Sequence, residues 1–286
     1  MKRLLAAVDF SPTSLNALRI AVNLATAFGS DLRMVHVCRD CDDTSLRRAD
    51  RSLQQQEAQT QMEALVAQYQ PEMSGILDFK IQSGKIYKEV VGEAKYSDAS
   101  LIVTGTHGVS GFEALFIGSN AFRIVTSSES PVLSINHKFK KNSFSRMVLP
   151  IDTSRDTRQK VPFTADLARV LQAEVIVLGV YNYADENVKS IVDTYCRQAV
   201  EHLQEKGVKT VQEFLDSRRI SEVVIDYAKS VDADLISIMS DIDSNAFARM
   251  LGGEAQRIVN TSPIPVLCSH ADENFNYEIS FRGITG

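Results

Sequence analysis

Two stretches of this chain repeat each other, and that repetition constrains the fold more than any other property. Ser97–Ile102 (Ser-Asp-Ala-Ser-Leu-Ile) aligns with Val231–Ile236 (Val-Asp-Ala-Asp-Leu-Ile), Arg123–Val125 with Arg257–Val259, and Pro131–Leu133 with Pro265–Leu267, all at an offset of 134 without a gap. Near the start, Arg3–Ser11 aligns with Arg146–Ser154 at an offset of 143. The second copy is therefore nine residues shorter in its middle. Such self-similarity points to a duplicated unit. With 286 residues and 44% hydrophobic content, each copy has the material for its own core. The alignment predicts one domain at 1–137 and another at 146–270, a polar linker at Lys138–Ser145 and a tail at 271–286 that belongs to neither copy.

Within the first copy, apolar runs alternate with helical patterns. Leu4–Val8 reads as a strand, and Ser11-Pro12 then supplies an N-cap and a proline at the first helical position. Leu15, Leu18, Val22 and Ala25 keep helical spacing until Gly29. Leu32–Val37 is a second strand. Asp43–Tyr69 is a long polar helix whose sparse apolar stripe is Leu53, Met62, Leu65 and Val66. A strand at 76–81, a helix at 86–96, a strand at 101–104, a helix at 120–126 and a strand at 132–135 follow. Strand–helix alternation implies α/β architecture: two tandem Rossmann-like domains, each a five-stranded parallel sheet with helices on both faces. Ligands bind such sheets beyond the carboxyl ends of the strands, where strand order reverses. Asp9 and Gly105 both follow strand ends and are expected to line one crevice.

The most informative motif is Gly105-Thr-His-Gly108, nine residues, then Gly118-Ser119. It joins the apolar run Leu101–Thr104 to the helical run Ala121–Val125. A buried strand, a glycine loop and a helix start make a phosphate cradle: glycine lets backbone approach an anion, and the helix start offers unpaired N–H groups. Ser119 would be hydroxyl donor and helix cap together. Neither the P-loop pattern nor the Gly-x-Gly-x-x-Gly dinucleotide fingerprint occurs. The net charge of −5 argues against a nucleic-acid surface, and Lys138, Lys140 and Lys141 read as a solvated linker. No run of about 18 apolar residues suggests a membrane span. Four cysteines do not suggest a disulfide framework, so a cytoplasmic location is expected.

Gly105–Ser119, together with Val8-Asp9-Phe10-Ser11, Val35-His36-Val37 and Ser130-Pro131-Val132-Leu133, resembles the signature of the universal stress protein family, and the resemblance covers nearly the whole chain twice. It implies binding of ATP, alone or with Mg²⁺. Carried over by residue, Asp9 would contact the ribose or adenine end, Val37 would meet adenine through its backbone, and Ala7 would line the adenine pocket. Thr104 and Gly105 would pass beneath ribose and phosphates, and Gly108, Gly118, Ser119 and Asn120 would hold the phosphates. Pairing of the two domains within one chain is also implied, with a homodimer as a further option.

At the 134 offset, Met239 replaces Gly105, Ile242 replaces Gly108, Gly253 replaces Ser119 and Glu254 replaces Asn120, while Gly252 and Asp152 are kept. Side chains at the first two positions fill phosphate space, and Glu254 would bring its own carboxylate to the helix start. Nucleotide binding is therefore expected in the first domain alone, the glycines serving the ligand rather than the fold. Cys38-Arg-Asp-Cys41 has no partner motif and reads as two incidental thiols, with a redox or metal role as the alternative. His107 reads as a solvent-facing loop residue, and Arg123, matched by Arg257, as a packing or ion-pair residue. The function expected is an ATP-binding sensor or regulator. The alternatives are a slow Mg²⁺-dependent ATPase and an interaction scaffold using the second domain.

Overall fold

The computed structural model describes residues 1–39, 48–106, 117–181, 186–217, 219–240, 253–272 and 274–276. Each copy forms its own unit, Met1–Asn142 and Ser143–Gly286. In the first unit, strands β1 (Arg3–Ala7), β2 (Asp31–Arg39), β3 (Leu77–Gly84), β4 (Leu101–Gly105) and β5 (Val132–Ile135) pair parallel in the order β3-β2-β1-β4-β5. Helices α1 (Pro12–Phe28), α2 (Arg48–Tyr69), α3 (Ile86–Tyr96) and α4 (Ser119–Ser127) connect them. The second unit repeats this with β6 (Arg146–Ile151), α5 (Val161–Leu171), β7 (Glu174–Tyr181), α6 (Glu186–Glu205), β8 (Thr210–Asp216), α7 (Ile220–Ser230), β9 (Leu235–Ser240), α8 (Gly253–Thr261) and β10 (Val266–His270). Its order is β8-β7-β6-β9-β10, again parallel.

The apolar runs are continuous because the central strands are covered on both faces. Leu4, Leu5, Ala6, Leu101, Ile102 and Val103 have no exposed surface. Each large side chain among them contributes about 1.5–3 kcal/mol of transfer free energy. Helix α1 follows its sequence signals: the Ser11 hydroxyl accepts from the Ser14 N–H, proline stands in the first turn, and Gly29 ends the helix at φ 61°. Gln172 takes the same left-handed position after α5, and Asp98 and Asp232 form another left-handed pair at the 134 offset. The duplication thus extends to backbone dihedrals that L-residues adopt rarely.

The polar helix α2 buries Ala58 and Met62, whereas Leu53, expected in its apolar stripe, is 56% exposed. The linker is also less solvated than its lysines suggest. Phe139 is buried, and α1 holds this segment by its side chains: Asn16 Nδ2 donates to Phe139 O at 2.8 Å and Asn23 Nδ2 to Asn142 O at 2.9 Å.

One ion network lies inside the first unit. Glu93 on α3 is 2% exposed and accepts from Arg33 Nη1 at 2.7 Å and Lys80 Nζ at 2.6 Å. Burial raises its carboxyl pKa, but the hydrogen bonds from Lys80 and Arg33 outweigh that and leave it below the ordinary glutamate value. Because the folded-state pKa is depressed, this stabilisation is complete above the unfolded pKa of ~4.3 and is lost as pH falls through the folded value. Glu93→Gln is expected to cost about 2–4 kcal/mol at pH 7, and less in acid, where the wild-type carboxylate also becomes neutral. Urea unfolding at pH 7 and pH 3.5 measures both; equal losses at the two pH values would contradict the network's role.

Candidate functional site

The strand order reverses at β1, which pairs with β2 on one side and β4 on the other. A cavity of about 390 Å³ opens beyond the carboxyl ends of these strands. Of the residues singled out in the sequence, Ala7, Asp9, Val37 and Thr104 line it together with Gly105, Gly118, Ser119 and Asn120. Gly108 and His107 lie outside the described residues.

The turn after β1 is built by Asp9. Its Oδ1 accepts from the Ser11 N–H at 3.1 Å and the Ser11 hydroxyl at 2.5 Å, while its own N–H donates to Ser14 Oγ at 3.2 Å. The second unit keeps this turn: Asp152 Oδ1 accepts from the Ser154 N–H at 2.8 Å and the Asp152 N–H donates to Thr157 Oγ1 at 3.4 Å. The survival of Asp152 therefore has a local cause, an aspartate turn between strand and helix.

Gly105 also has a packing role, beside the expectation that the glycines serve a ligand. A Cβ there would stand 3.0 Å from the Thr13 carbonyl carbon and 3.1 Å from the Ser14 N, so its absence lets the first turn of α1 lie against the end of β4. In the second unit Met239 holds this place. The segment matching the start of α1 is there a 3-10 turn at Arg155–Arg158, and α5 begins only at Val161, the counterpart of Leu18.

Helix α4 starts without a side-chain cap. Its N-cap is Gly118, not Ser119, and Ser119 is the first helical residue. The Gly118 N–H is engaged with Thr106 O at 2.6 Å, and the intrahelical ladder begins with Phe122 N–H to Gly118 O. The N–H groups of Ser119, Asn120 and Ala121 therefore have no intrahelical acceptors, and all three residues line the cavity. No acidic side chain lies in this first turn. In the second unit Glu254 accepts the Ser221 N–H of α7 at 2.6 Å and pairs with Arg257 at 3.1 Å. The carboxylate does occupy a helix start, but that of α7 rather than its own. Arg123 lies over the Tyr87 ring at 5.3 Å, so both arginines have structural partners.

Several residues of the cavity were not singled out from the sequence. Phe10, His36, Gln54, Glu57 and Gln61 also line it. The signal was the His36 side chain, in the carboxyl-terminal half of β2. Its Nδ1 lies 2.8 Å from Val8 O, and since a carbonyl only accepts, Nδ1 carries the proton. Cys38 is in no disulfide and lines this cavity, and Cys41 lies outside the described residues; among the described residues no three His, Cys, Asp or Glu gather as a metal site.

The sequence profile described as "Universal stress protein family" matches residues 1–136 and again 143–270. The chain belongs to this family. A universal stress protein of Methanocaldococcus jannaschii is 26% identical over 145 residues, covering 49% of this chain and 85% of that protein. An uncharacterized protein of Schizosaccharomyces pombe is 28% identical over 141 residues, but the match spans only 23% of its length. Among solved structures, a universal stress protein from Archaeoglobus fulgidus superposes with a TM-score of 0.73 at 16% identity, covering 94% of this chain and 98% of that one. A second, from Pseudomonas aeruginosa, has a TM-score of 0.66 at 14% identity over 95% of this chain and 94% of its own. At such identities the agreement concerns the fold. Among the described residues no helix is long and apolar enough to cross a membrane.

Gly105→Val is expected to push the start of α1 away from β4, costing about 1–3 kcal/mol and lowering the thermal midpoint. A Gly105→Val protein as stable as wild type would show that the close approach of Thr13 and Ser14 is dispensable.

Proposed function

We propose that the first unit binds an adenine nucleotide, ATP above all, and that the protein acts as a nucleotide-dependent sensor or regulator with one site per chain. The observation that carries this reading is the pairing, in one cavity, of an uncapped helix start with an open strand edge at Val37. The N–H groups at the α4 start and their dipole favour phosphate oxygens, with Gly118, Ser119 and Asn120 as the holding residues and Gly108 beside them. The single-residue donor and acceptor at Val37 match the adenine edge, where a ring nitrogen accepts and the amino group donates. Asp9 and Ala7 would border ribose and base, and Thr104 and Gly105 the floor.

Among the described residues no lysine or arginine lines the cavity, and none occurs in the sequence of 107–116. Phosphate charge would therefore be balanced by backbone dipoles and by a divalent cation carried on the nucleotide, Mg²⁺ by its preference for phosphate oxygens. A lining of this kind favours retention over turnover, because among the described residues no fixed cation faces a transferring phosphoryl group. In the second unit Met239 in place of Gly105, and Glu254, whose carboxylate accepts the Ser221 N–H of α7, stand against a second site.

Calorimetry of the full chain is expected to give one ATP per chain. Gly118→Val should weaken binding by at least about tenfold, roughly 1.4 kcal/mol, with little change in stability, since φ −62° at this position suits any residue. Two equal sites per chain, or unchanged affinity in Gly118→Val, would refute the reading. Steady phosphate release by the wild type, abolished in Gly118→Val, would turn it from sensor to ATPase.

A further inference from the structure

We infer that His36 is a positioning residue: it ends the β1–β2 ladder one bond early and so keeps the Val37 backbone open to a purine base. The inference rests on the adenine reading of this cavity.

In a parallel pair, alternate residues of a strand turn their N–H and C=O groups to opposite neighbours. On β2, the Asp31 N–H donates to Lys2 O, toward β1, and the Leu32 N–H to Ile76 O, toward β3. The alternation turns Arg33, Val35 and Val37 toward β1. The Val8 N–H donates to Val35 O at 2.9 Å, which leaves the Val8 carbonyl as the next acceptor on that side. In a continued ladder it would take the Val37 N–H. Instead it takes the His36 Nδ1–H at 2.8 Å, and the registered β1–β2 pairs stop at Ala7–Val35. The Val37 N–H and C=O then face the cavity that Val37 lines.

The second unit is an internal control. At the 143 offset, Val8, His36 and Val37 correspond to Ile151, Gly179 and Val180. There the β6–β7 register runs one pair further, to Ile151–Gly179. A parallel pair at that position requires the N–H of Val180 to donate to Ile151 O, which is the bond missing in the first unit. Gly179 has no ring to compete for that carbonyl. It cannot carry one either, because a Cβ there would stand 2.4 Å from the Phe214 ring.

Phe10 supports the same device. It holds a left-handed backbone at φ 61°, costly for a bulky residue, and its ring lies 4.7 Å from the His36 ring at 33°. Thr153, its counterpart, is not left-handed. The other left-handed non-glycine residues do not distinguish the units: Asp98 and Asp232 match each other, and Gln172 matches Gly29. Strain confined to the residue packed on His36 fits a function confined to the first unit.

The test combines amide hydrogen exchange at Val37 with ATP and GTP affinities on the full chain, for wild type, His36→Gly, His36→Leu and His36→Asn. Glycine copies the second unit; leucine keeps bulk against Phe10 without the donor; asparagine keeps a donor where Nδ1 stands. His36→Gly and His36→Leu are expected to slow exchange at Val37 by at least about tenfold. They should also weaken ATP by about tenfold, the worth of about one hydrogen bond, with GTP unchanged. His36→Asn should behave as wild type. Wild-type exchange and ATP affinity in both His36→Gly and His36→Leu would overturn the inference, as would His36→Asn failing like leucine. A wild type that binds no ATP would defeat the adenine reading instead, while the exchange rates would still decide whether His36 holds the ladder open.

Discussion

The close approach of α1 to the end of β4 is the contact on which the first unit's site depends. It is close because Gly105 has no side chain where Thr13 and Ser14 come to rest. With the helix start fixed there, the Ser11 hydroxyl caps α1 and Asp9 closes the turn that begins the cavity wall. The strand order then supplies the rest. Because β1 has β2 on one side and β4 on the other, the connections leaving β1 and β4 diverge to opposite ends of the sheet and leave a crevice. Both the helix start of α4 and the open edge of β2 meet that crevice.

The second unit shows how the same topology carries different residues at the corresponding positions. Met239 stands where Gly105 does, and the segment facing it is a 3-10 turn. Glu254 satisfies the start of α7 with its own carboxylate. Gly179 lets the β6–β7 ladder run to its end, with Phe214 packed against it. None of these changes disturbs the strand order, since sheet pairing and core burial depend on the apolar runs and not on the loops beyond them. A carboxylate, a ring and a methionine in loops and strand ends change what a unit can hold while leaving what it is.

Much of this was legible in the residues. The offsets of 134 and 143 identify the duplication, the apolar runs give the strands, and Ser11-Pro12 and Gly29 mark both ends of α1. The eight described residues singled out for the site all line one cavity, because strand ends in a parallel sheet share one edge. Other features were hidden. That Gly118 and not Ser119 caps α4 depends on where the backbone turns, within one residue. The exposure of Leu53 depends on how α2 lies against the sheet, which a sparse apolar stripe does not fix. The structural duty of Gly105 depends on Thr13 and Ser14, about ninety residues away in the chain.

By itself, then, the sequence determined the duplication, the α/β class and which half keeps a glycine loop, because periodicity and turn chemistry are local properties. Only the tertiary structure decided the roles of Gly105, His36 and Glu254. Each acts through a partner on another element: α1, the end of β1, the start of α7. A hydrogen bond from His36 to Val8 or from Ser221 to Glu254 forms across space, and no spacing along the chain announces it.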